Sequence, residues 1–301
     1  SAIAEETSTE GDGVATQEET EGGDVVEDES EGEEPDDPTL EEEIKDVESV
    51  TERQNISYTK SLLYENDVEF KGVTGSENGV ALYGAGKVTF EKTASFINNI
   101  GRVEKTGSSG SIIKGGAIYK TPFGASRTTV FNGDVKFEGN ELHAMSVNGV
   151  SQALGGAIYN ASSQYSGGLN FNADAVFNTN KVEAESTGSG KVTVYGGAID
   201  NRKKIEFYED VTFSDNTASG STIGTGAVVV NGGAIRNALT LIFGNAAEDK
   251  LTFTENKAVK NDSGNGGNAG ALYIANSPVT LTNVDFYRNS AANNGGALYL
   301  A

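Results

Sequence analysis

Apolar and polar residues alternate in short runs through most of the chain after residue 60. Phe207, Val211 and Phe213 are apolar and alternate with polar residues such as Thr212, and a turn at Asp210 separates two such runs. Alternation with a period of two is typical of β-strands that bury one face. The pattern therefore predicts an all-β chain of short strands joined by tight turns.

Two short motifs punctuate these runs and alternate along the chain. The first, Gly-Gly-Ala-Ile, occurs at Gly115-Gly116-Ala117-Ile118, Gly155-Gly156-Ala157-Ile158, Gly196-Gly197-Ala198-Ile199, Gly232-Gly233-Ala234-Ile235 and Gly295–Leu298, with weaker copies at Gly79–Leu82 and Gly270–Leu272. The second, Phe-x-x-Asn, occurs at Phe96/Asn99, Phe137/Asn140, Phe177/Asn180, Phe213/Asn216, Phe253/Asn256 and Phe286/Asn289. The phenylalanines recur every 33 to 41 residues. Repeats of this length indicate stacked units, none of which buries its apolar face alone.

Each unit reads as three strands: Gly-Gly-Ala-Ile-Tyr, a first aromatic segment, and Val-x-Phe-x-x-Asn. We expect about seven units to stack as the rungs of a parallel β-helix, with like residues in columns about 4.8 Å apart. Phenylalanine in one slot of every rung predicts a stacked aromatic core. Gly-Gly suits a tight corner or the close approach of another backbone. Asparagine suits a corner with left-handed backbone angles, or a hydrogen-bonded ladder.

Extra residues separate Phe-x-x-Asn from the next Gly-Gly-Ala in most units. These inserts lie at 100–114, 141–154, 181–195, 217–231 and 257–268, are rich in Gly, Ser, Thr and Asn, and shrink to Ser290–Asn294 in the last unit. Insertions at one fixed place in a repeat are expected to project from one side of the stack. The inserts are therefore predicted to be surface loops.

The acidic charge of the chain is concentrated at its start. Residues 1–52 hold 22 acidic residues and a single base, Lys45, whereas the rest holds 22 acids and 21 bases. We expect 1–38 to be a disordered acidic tail, either a solubilising spacer or an interaction arm. A capping-box spacing at Thr39 and Glu42 predicts a short helix over 39–50, so that 39–60 is a helix or N-terminal cap and 61–301 the repeat domain.

Composition narrows the possible functions. A nearly neutral repeat domain does not attract a phosphate backbone, so we expect no nucleic-acid partner. The chain has no cysteine and a single histidine, His143, in an insert, where a surface loop residue is expected rather than a zinc ligand. No run is long and apolar enough for a membrane helix, and no signal peptide stands at the start, as in a mature or trimmed product.

A column of aspartates is the best candidate for chemistry. Asp67, Asp134, Asp174 and Asp210 each stand three residues before the motif phenylalanine. Stacked carboxylates could bind calcium or act as acid and base, but an Asx turn facing water accounts for the same residues. Because the column breaks at Lys250 and Asn283, we expect no catalytic residues and no cofactor, with structural calcium as the open alternative.

The alternating motifs over 79–298 resemble the polymorphic membrane protein repeat of chlamydiae. The resemblance implies the passenger of an autotransporter, folded as a right-handed β-helix, in which both motifs are associated with adhesion to host cells. On that basis the adhesion candidates are the four central copies of each motif, namely Gly115 to Ile118, Gly155 to Ile158, Gly196 to Ile199, Gly232 to Ile235, Phe137, Asn140, Phe177, Asn180, Phe213, Asn216, Phe253 and Asn256. The chain departs from many chlamydial members in lacking cysteines, and the C-terminal barrel of a full-length member is absent.

The resulting hypothesis is a non-catalytic adhesin at the cell surface or secreted, displayed on a bacterial outer membrane. Its expected partner is a protein or glycan receptor on another cell. An alternative is a structural subunit that associates end-on with another chain, because no cap follows the strand before Ala301 and we expect the native chain to continue or another chain to cover this end. A polysaccharide-active enzyme is a further alternative, since fold alone does not select among these.

Overall fold

The computed structural model describes residues 43–45, 50–52, 54–58, 61–121, 127–161, 167–244, 248–261, 267–275 and 277–301. These residues form five parallel β-sheets and no helix. Each strand pairs with equivalent strands of neighbouring turns, so that Phe137, for example, lies in register with both Phe96 and Phe177. The predicted parallel β-solenoid is confirmed.

Along one turn the chain passes through the five sheets in a fixed order, numbered from Gly-Gly-Ala. Sheet 1 holds β3 (Ile56–Tyr58), β7 (Leu82–Gly84), β12 (Ile118–Lys120), β17 (Ile158–Asn160), β22 (Ile199–Asn201), β27 (Ile235–Asn237), β31 (Leu272–Ile274) and β34 (Leu298–Leu300). Sheet 2 holds β1 (Glu43–Lys45), β4 (Leu62–Tyr64), β8 (Val88–Phe90), β13 (Thr129–Phe131), β18 (Gly168–Phe171), β23 (Lys204–Phe207) and β28 (Leu241–Phe243). Sheet 3 holds β2 (Val50–Glu52), β5 (Val68–Lys71), β9 (Ala94–Ile97), β14 (Val135–Glu138), β19 (Ala175–Asn178), β24 (Val211–Ser214), β29 (Leu251–Thr254) and β32 (Val284–Tyr287).

The inserts supply the other two sheets. Sheet 4 holds β6 (Thr74–Gly75), β10 (Ile100–Lys105), β15 (Glu141–Ser146), β20 (Lys181–Ser186), β25 (Thr217–Thr222), β30 (Lys257–Lys260) and β33 (Ser290–Ala291). Sheet 5 holds β11 (Ser111–Lys114), β16 (Ser151–Leu154), β21 (Val192–Tyr195) and β26 (Val228–Asn231). Within the described ranges, the two longest sheets have eight strands each, so the predicted count of about seven rungs differs slightly from the structure.

Two aromatic columns fill the interior, as the spacing predicted. In sheet 3 the ring centroids of Phe137 and Phe177 lie 4.8 Å apart with nearly parallel planes. Phe131 and Phe171 of sheet 2 stack at 4.7 Å, and Phe131 meets Phe137 edge-on at 6.2 Å. All four rings are fully buried. Offset and edge-to-face contacts of this kind add to the hydrophobic stabilisation of a buried ring.

The Phe-x-x-Asn asparagines form a buried hydrogen-bonded ladder along the stack. Asn140 Nδ2 donates to Asn180 Oδ1 at 2.9 Å and also to the carbonyl oxygen of Phe96 at 2.9 Å. The left-handed backbone angles expected at Asn140 and Asn180 lie instead on the preceding residue, such as Thr179 with φ 53°. The asparagine that follows this residue directs its amide at the neighbouring turns.

The second glycine of Gly-Gly-Ala-Ile stands where three backbones meet. A Cβ on Gly197 would overlap the carbonyl oxygen of Gly233 in the next turn and approach the backbone of Thr217 to 2.8 Å. Thr217 follows Asn216, so the chain leaves for sheet 4 beside the point where it returns from sheet 5. This crossing, which we call the neck, has no room for a side chain.

The prediction that the inserts are loops is wrong. Sheets 4 and 5 pack against each other and form a two-layered fin on one side of the stack. Leu142 and Ala144 of sheet 4 and Val192 and Val194 of sheet 5 are fully buried between them. The inserts form strands because their apolar residues alternate too, although small polar residues mask that pattern in the composition.

The predicted helix over 39–50 is not found at the described positions of that range. Strands β1 and β2 lie there instead and pair with β4 and β5. A sheet edge offers hydrogen-bond partners to the strand laid against it, whereas a helix this short is marginal by itself. The predicted acidic tail at 1–38 lies outside the described residues, and the domain boundaries stay predictions.

Candidate binding surface

The residues of both motifs lie inside the solenoid. All 24 adhesion candidates of the four central turns are buried, namely Gly115 to Ile118, Gly155 to Ile158, Gly196 to Ile199, Gly232 to Ile235, Phe137, Asn140, Phe177, Asn180, Phe213, Asn216, Phe253 and Asn256. Buried side chains build the scaffold but cannot touch a receptor directly. Their association with adhesion stays a prediction, and any contact must come from outward residues beside them.

The outward column of sheet 1 begins as a ladder of tyrosines and then changes chemistry. Tyr83, Tyr119 and Tyr159 stack with ring centroids 5.2 Å apart. In the next two turns Asp200 and Arg236 occupy the same register position. Aromatic, acidic and basic side chains therefore follow one another along a single line of the surface.

Sheets 5 and 1 meet at the Gly-Gly-Ala corner, and their outward side chains converge there. Lys114 Nζ of sheet 5 lies 5.1 Å from the ring centroid of Tyr159, and the Arg236 guanidinium carbon lies 4.8 Å from that of Tyr195. Leu154 packs with Tyr159 in a small apolar cluster outside the main core. Outward side chains would diverge at a convex corner, so this corner is re-entrant. We call it the corner groove; it is lined by Lys114, Leu154, Tyr159, Tyr195, Arg202 and Arg236.

Asp200 lies at the floor of the corner groove and is fully buried. Arg202 donates from Nε and Nη2 to its Oδ2, both at 3.0 Å, and Arg236 Nη1 lies 3.2 Å from Oδ1. A buried carboxylate needs such partners, because an unpaired charge there is strongly destabilising. The pairs also fix both guanidinium groups at the floor, while 29% of the Arg202 side chain and 16% of the Arg236 side chain remain exposed.

The groove also shifts the ionisation of its side chains. Burial raises the pKa of Tyr159 to about 12, so the phenol stays protonated at neutral pH and can donate a hydrogen bond. Burial, and then the neighbouring charge of Arg202, lower the pKa of Lys114, and Asp200 partly opposes them. The positive charges of Lys114 and Arg202 therefore repel each other in the groove.

The opposite side of the fin, the outward face of sheet 4, carries paired charges. Lys181 Nζ lies 2.7 Å from Glu183 and 3.6 Å from Glu141. His143, expected in a loop, lies on strand β15 with Nε2 4.0 Å from Glu185. The side chain faces outward because its neighbours on the strand point into the fin. Charges on this face alternate in sign and largely cancel.

The predicted aspartate column caps turns between sheets 2 and 3. Its four members, Asp67, Asp134, Asp174 and Asp210, are exposed. Asp174 Oδ1 accepts a hydrogen bond from the Asp210 backbone N at 3.2 Å, and Asp210 Oδ1 accepts one from Lys250 N at 2.7 Å. Across the part of the chain that the structure describes, no group of three or more potential metal ligands is assembled. Calcium binding at this column stays a prediction.

The last turn carries one copy of each motif, Phe286/Asn289 and Gly295–Leu298, within a few residues. The family model of the Chlamydia polymorphic membrane protein repeat matches residues 283–301. Residues 283–301 are therefore similar to a polymorphic membrane protein (Pmp) repeat. No curated protein and no solved structure matches the chain.

The Pmp repeat shares its geometry with the turn before it. Phe286 pairs in register with Phe253, and Leu298 pairs with Leu272. The Phe286 ring stacks 5.1 Å from that of Phe253. Among the described residues, no helix has the length and apolar character of a membrane span.

The sequence contains a signal for the corner groove at positions beside the two motifs. Tyrosine follows the motif isoleucine at Tyr119 and Tyr159, and the residue before Gly-Gly is Lys114 in one turn and Tyr195 in another. Alternation places these positions on the outside of the strands. Only the angle at the corner, which sequence does not encode in an obvious way, brings the two positions together.

Proposed function

We propose that this chain is a non-catalytic adhesin module, the passenger part of an autotransporter displayed on a bacterial outer membrane. The Pmp repeat at 283–301 supports this proposal. The described solenoid supports it as well, because stacked repeats provide long surfaces suited to binding. The receptor is a protein or a glycan on another cell.

The observation that carries the proposal is the contrast between inward and outward columns. The inward column of sheet 3 is phenylalanine in turn after turn. The outward column of sheet 1 changes from Tyr159 to Asp200 to Arg236 over three turns. A scaffold with a repeating interior and a variable exterior presents specific chemistry without altering its fold.

Adhesion of coated beads to cells tests the proposal. Beads carrying the folded full chain are expected to attach to cultured epithelial cells in larger numbers than beads carrying an unrelated β-solenoid of similar charge. Free chain added in solution should compete for the attachment. Equal attachment of the two kinds of bead would overturn the adhesin role.

A further inference from the structure

We propose that the corner groove binds an anionic glycan, a polysaccharide bearing sulfate or carboxylate groups, laid along the stack. The inference rests on the proposed adhesin function and names the class of receptor.

The groove carries an excess of positive charge on a domain that is otherwise nearly neutral. Its described side chains include three cations, Lys114, Arg202 and Arg236, against one carboxylate, Asp200. From residue 53 onwards the chain holds 22 acids and 21 bases, so this imbalance is local. Such a patch attracts anions over the range of the Debye length.

The arginines keep hydrogen-bond donors for a ligand. A guanidinium has five N–H donors, and Arg202 commits only its Nε and Nη2 atoms to Asp200. Arg236 uses Nη1, and its Nε atom is buried without a partner among the described residues. Because Asp200 holds both groups in place, little side-chain entropy is lost when they grip a sulfate or carboxylate.

The direction of the groove fits a linear polymer. Lys114 stands on β11, Arg202 follows β22 two turns later and Arg236 lies on β27 in the turn after that. Turns are spaced by about 4.8 Å, so the backbone positions of the three cations span about 14 Å along the stack, and their side chains converge on Tyr159, Tyr195 and Asp200. Tyr159 contacts Lys114 and Arg202, and Tyr195 contacts both arginines. Their phenol groups combine an apolar ring edge with a hydroxyl that can bond sugar oxygens.

Direct binding of defined oligosaccharides to the full chain is the test. Calorimetry would compare a heparin octasaccharide, a hyaluronan octasaccharide, a neutral maltooctaose and a polyglutamate peptide of equal charge to hyaluronan. We expect the two anionic sugars to bind and the neutral sugar not to bind. Polyglutamate is expected to bind at least about tenfold more weakly than the best anionic sugar, a difference of about 1.4 kcal/mol.

Matched charge variants locate the site. Lys114→Gln with Arg202→Gln removes two cations from the groove, and Arg102→Gln with Lys136→Gln removes two exposed cations from sheets 4 and 3. The groove variant is expected to lose affinity by on the order of a hundredfold, or about tenfold per charged contact. The control should stay within about twofold. Lys114→Gln alone leaves both partners of Asp200 in place and should still lose affinity if the other variant folds poorly.

The outcomes separate this inference from the adhesin role. Absence of binding to any anionic sugar, equal loss in both charge variants, or polyglutamate binding as tight as the sugars would overturn the glycan assignment. The last result would identify an acidic peptide as the ligand. Beads that still attach to cells in that case leave the adhesin role standing, whereas failure of both assays removes both.

Discussion

The side-chain amide of Asn180 donates a 3.0 Å hydrogen bond to Oδ1 of Asn216 in the next turn of the stack. Its own Oδ1 accepts bonds from Nδ2 and from the backbone N of Asn140, at 2.9 and 3.1 Å. Nδ2 also reaches the carbonyl oxygen of Phe137 at 3.0 Å. Each amide of the ladder thus joins three turns of chain, and all of these groups are buried.

Replacing Asn180 by alanine is expected to lower the free energy of unfolding by about 2–4 kcal/mol, because it leaves several buried polar groups without hydrogen-bond partners. Asn172→Ala is the control, since Asn172 bonds Asn132 in an exposed ladder and its loss should cost less than about 0.5 kcal/mol. Urea unfolding followed by circular dichroism measures both. Equal midpoints for the two variants would contradict the structural role of the inner ladder.

Gly197→Ala should prevent the backbones from approaching as closely as they do at the neck. The added Cβ would overlap the Gly233 carbonyl oxygen, and backbone on all sides cannot yield, so we expect a loss above about 3 kcal/mol or failure to fold. Gly107→Ala adds the same atom at a position with open space around it. Thermal unfolding should distinguish the two; a stable Gly197→Ala protein would show that the neck is looser than described.

Asp200→Asn leaves two guanidinium groups without their buried counter-charge. We expect a loss of about 3–5 kcal/mol, the usual cost of breaking a buried ion pair by removing one partner. Asp285→Asn breaks the exposed pair with Lys250 and should cost less than about 1 kcal/mol. Guanidinium chloride would screen both pairs, so urea is the suitable denaturant. Similar losses of stability in Asp200→Asn and Asp285→Asn would mean that water reaches Asp200 at the groove floor.

Lys120 makes stability depend on pH. Burial, and then the charges of Lys203 and Arg127, lower its pKa from 10.5 to about 7, while Nζ donates to the Gly86 carbonyl oxygen. The unfolded chain therefore binds the extra proton between pH 7 and 10.5, and stability rises with pH across this window. The nearby phenol of Tyr58 has its pKa raised by burial and does not titrate there.

The measurement compares the wild type with Lys120→Met in urea at pH 5, 5.5, 6, 7.5 and 9. The wild type should gain stability relative to the variant from pH 7.5 to pH 9, and the difference should be constant below pH 6. A difference that does not change with pH would show that Lys120 keeps its proton in the folded protein. Lys257→Met, an exposed lysine of sheet 4, serves as the control.

The sequence predicted the stack because its interior repeats are regular. Phe137 and Phe177 occupy the same slot in successive turns, and only stacking lets equivalent rings share a core. For Asn180 the sequence left a left-handed corner and a hydrogen-bonded ladder both open, and the structure shows the ladder. Periodicity therefore specifies the three sheets of the main body.

The fin and the groove depended on information that motifs do not carry. In the fin, Ala144 and Val194 alternate with polar residues, but loop-like composition hid the alternation. In the groove, Tyr195 and Arg236 are 41 residues apart and meet only because the corner is re-entrant. Contacts that depend on the angle between sheets cannot be predicted from spacing alone.

The neck has a consequence for how such proteins diversify. Since the chain enters and leaves the fin at adjacent points, a turn with the five residues Ser290–Asn294 and a turn with the fifteen residues 217–231 both fit the same main body. Insert length is thereby uncoupled from core packing. Evolution, or an engineer grafting foreign peptides, can therefore vary the insert of a turn while the rest of the sequence remains unchanged.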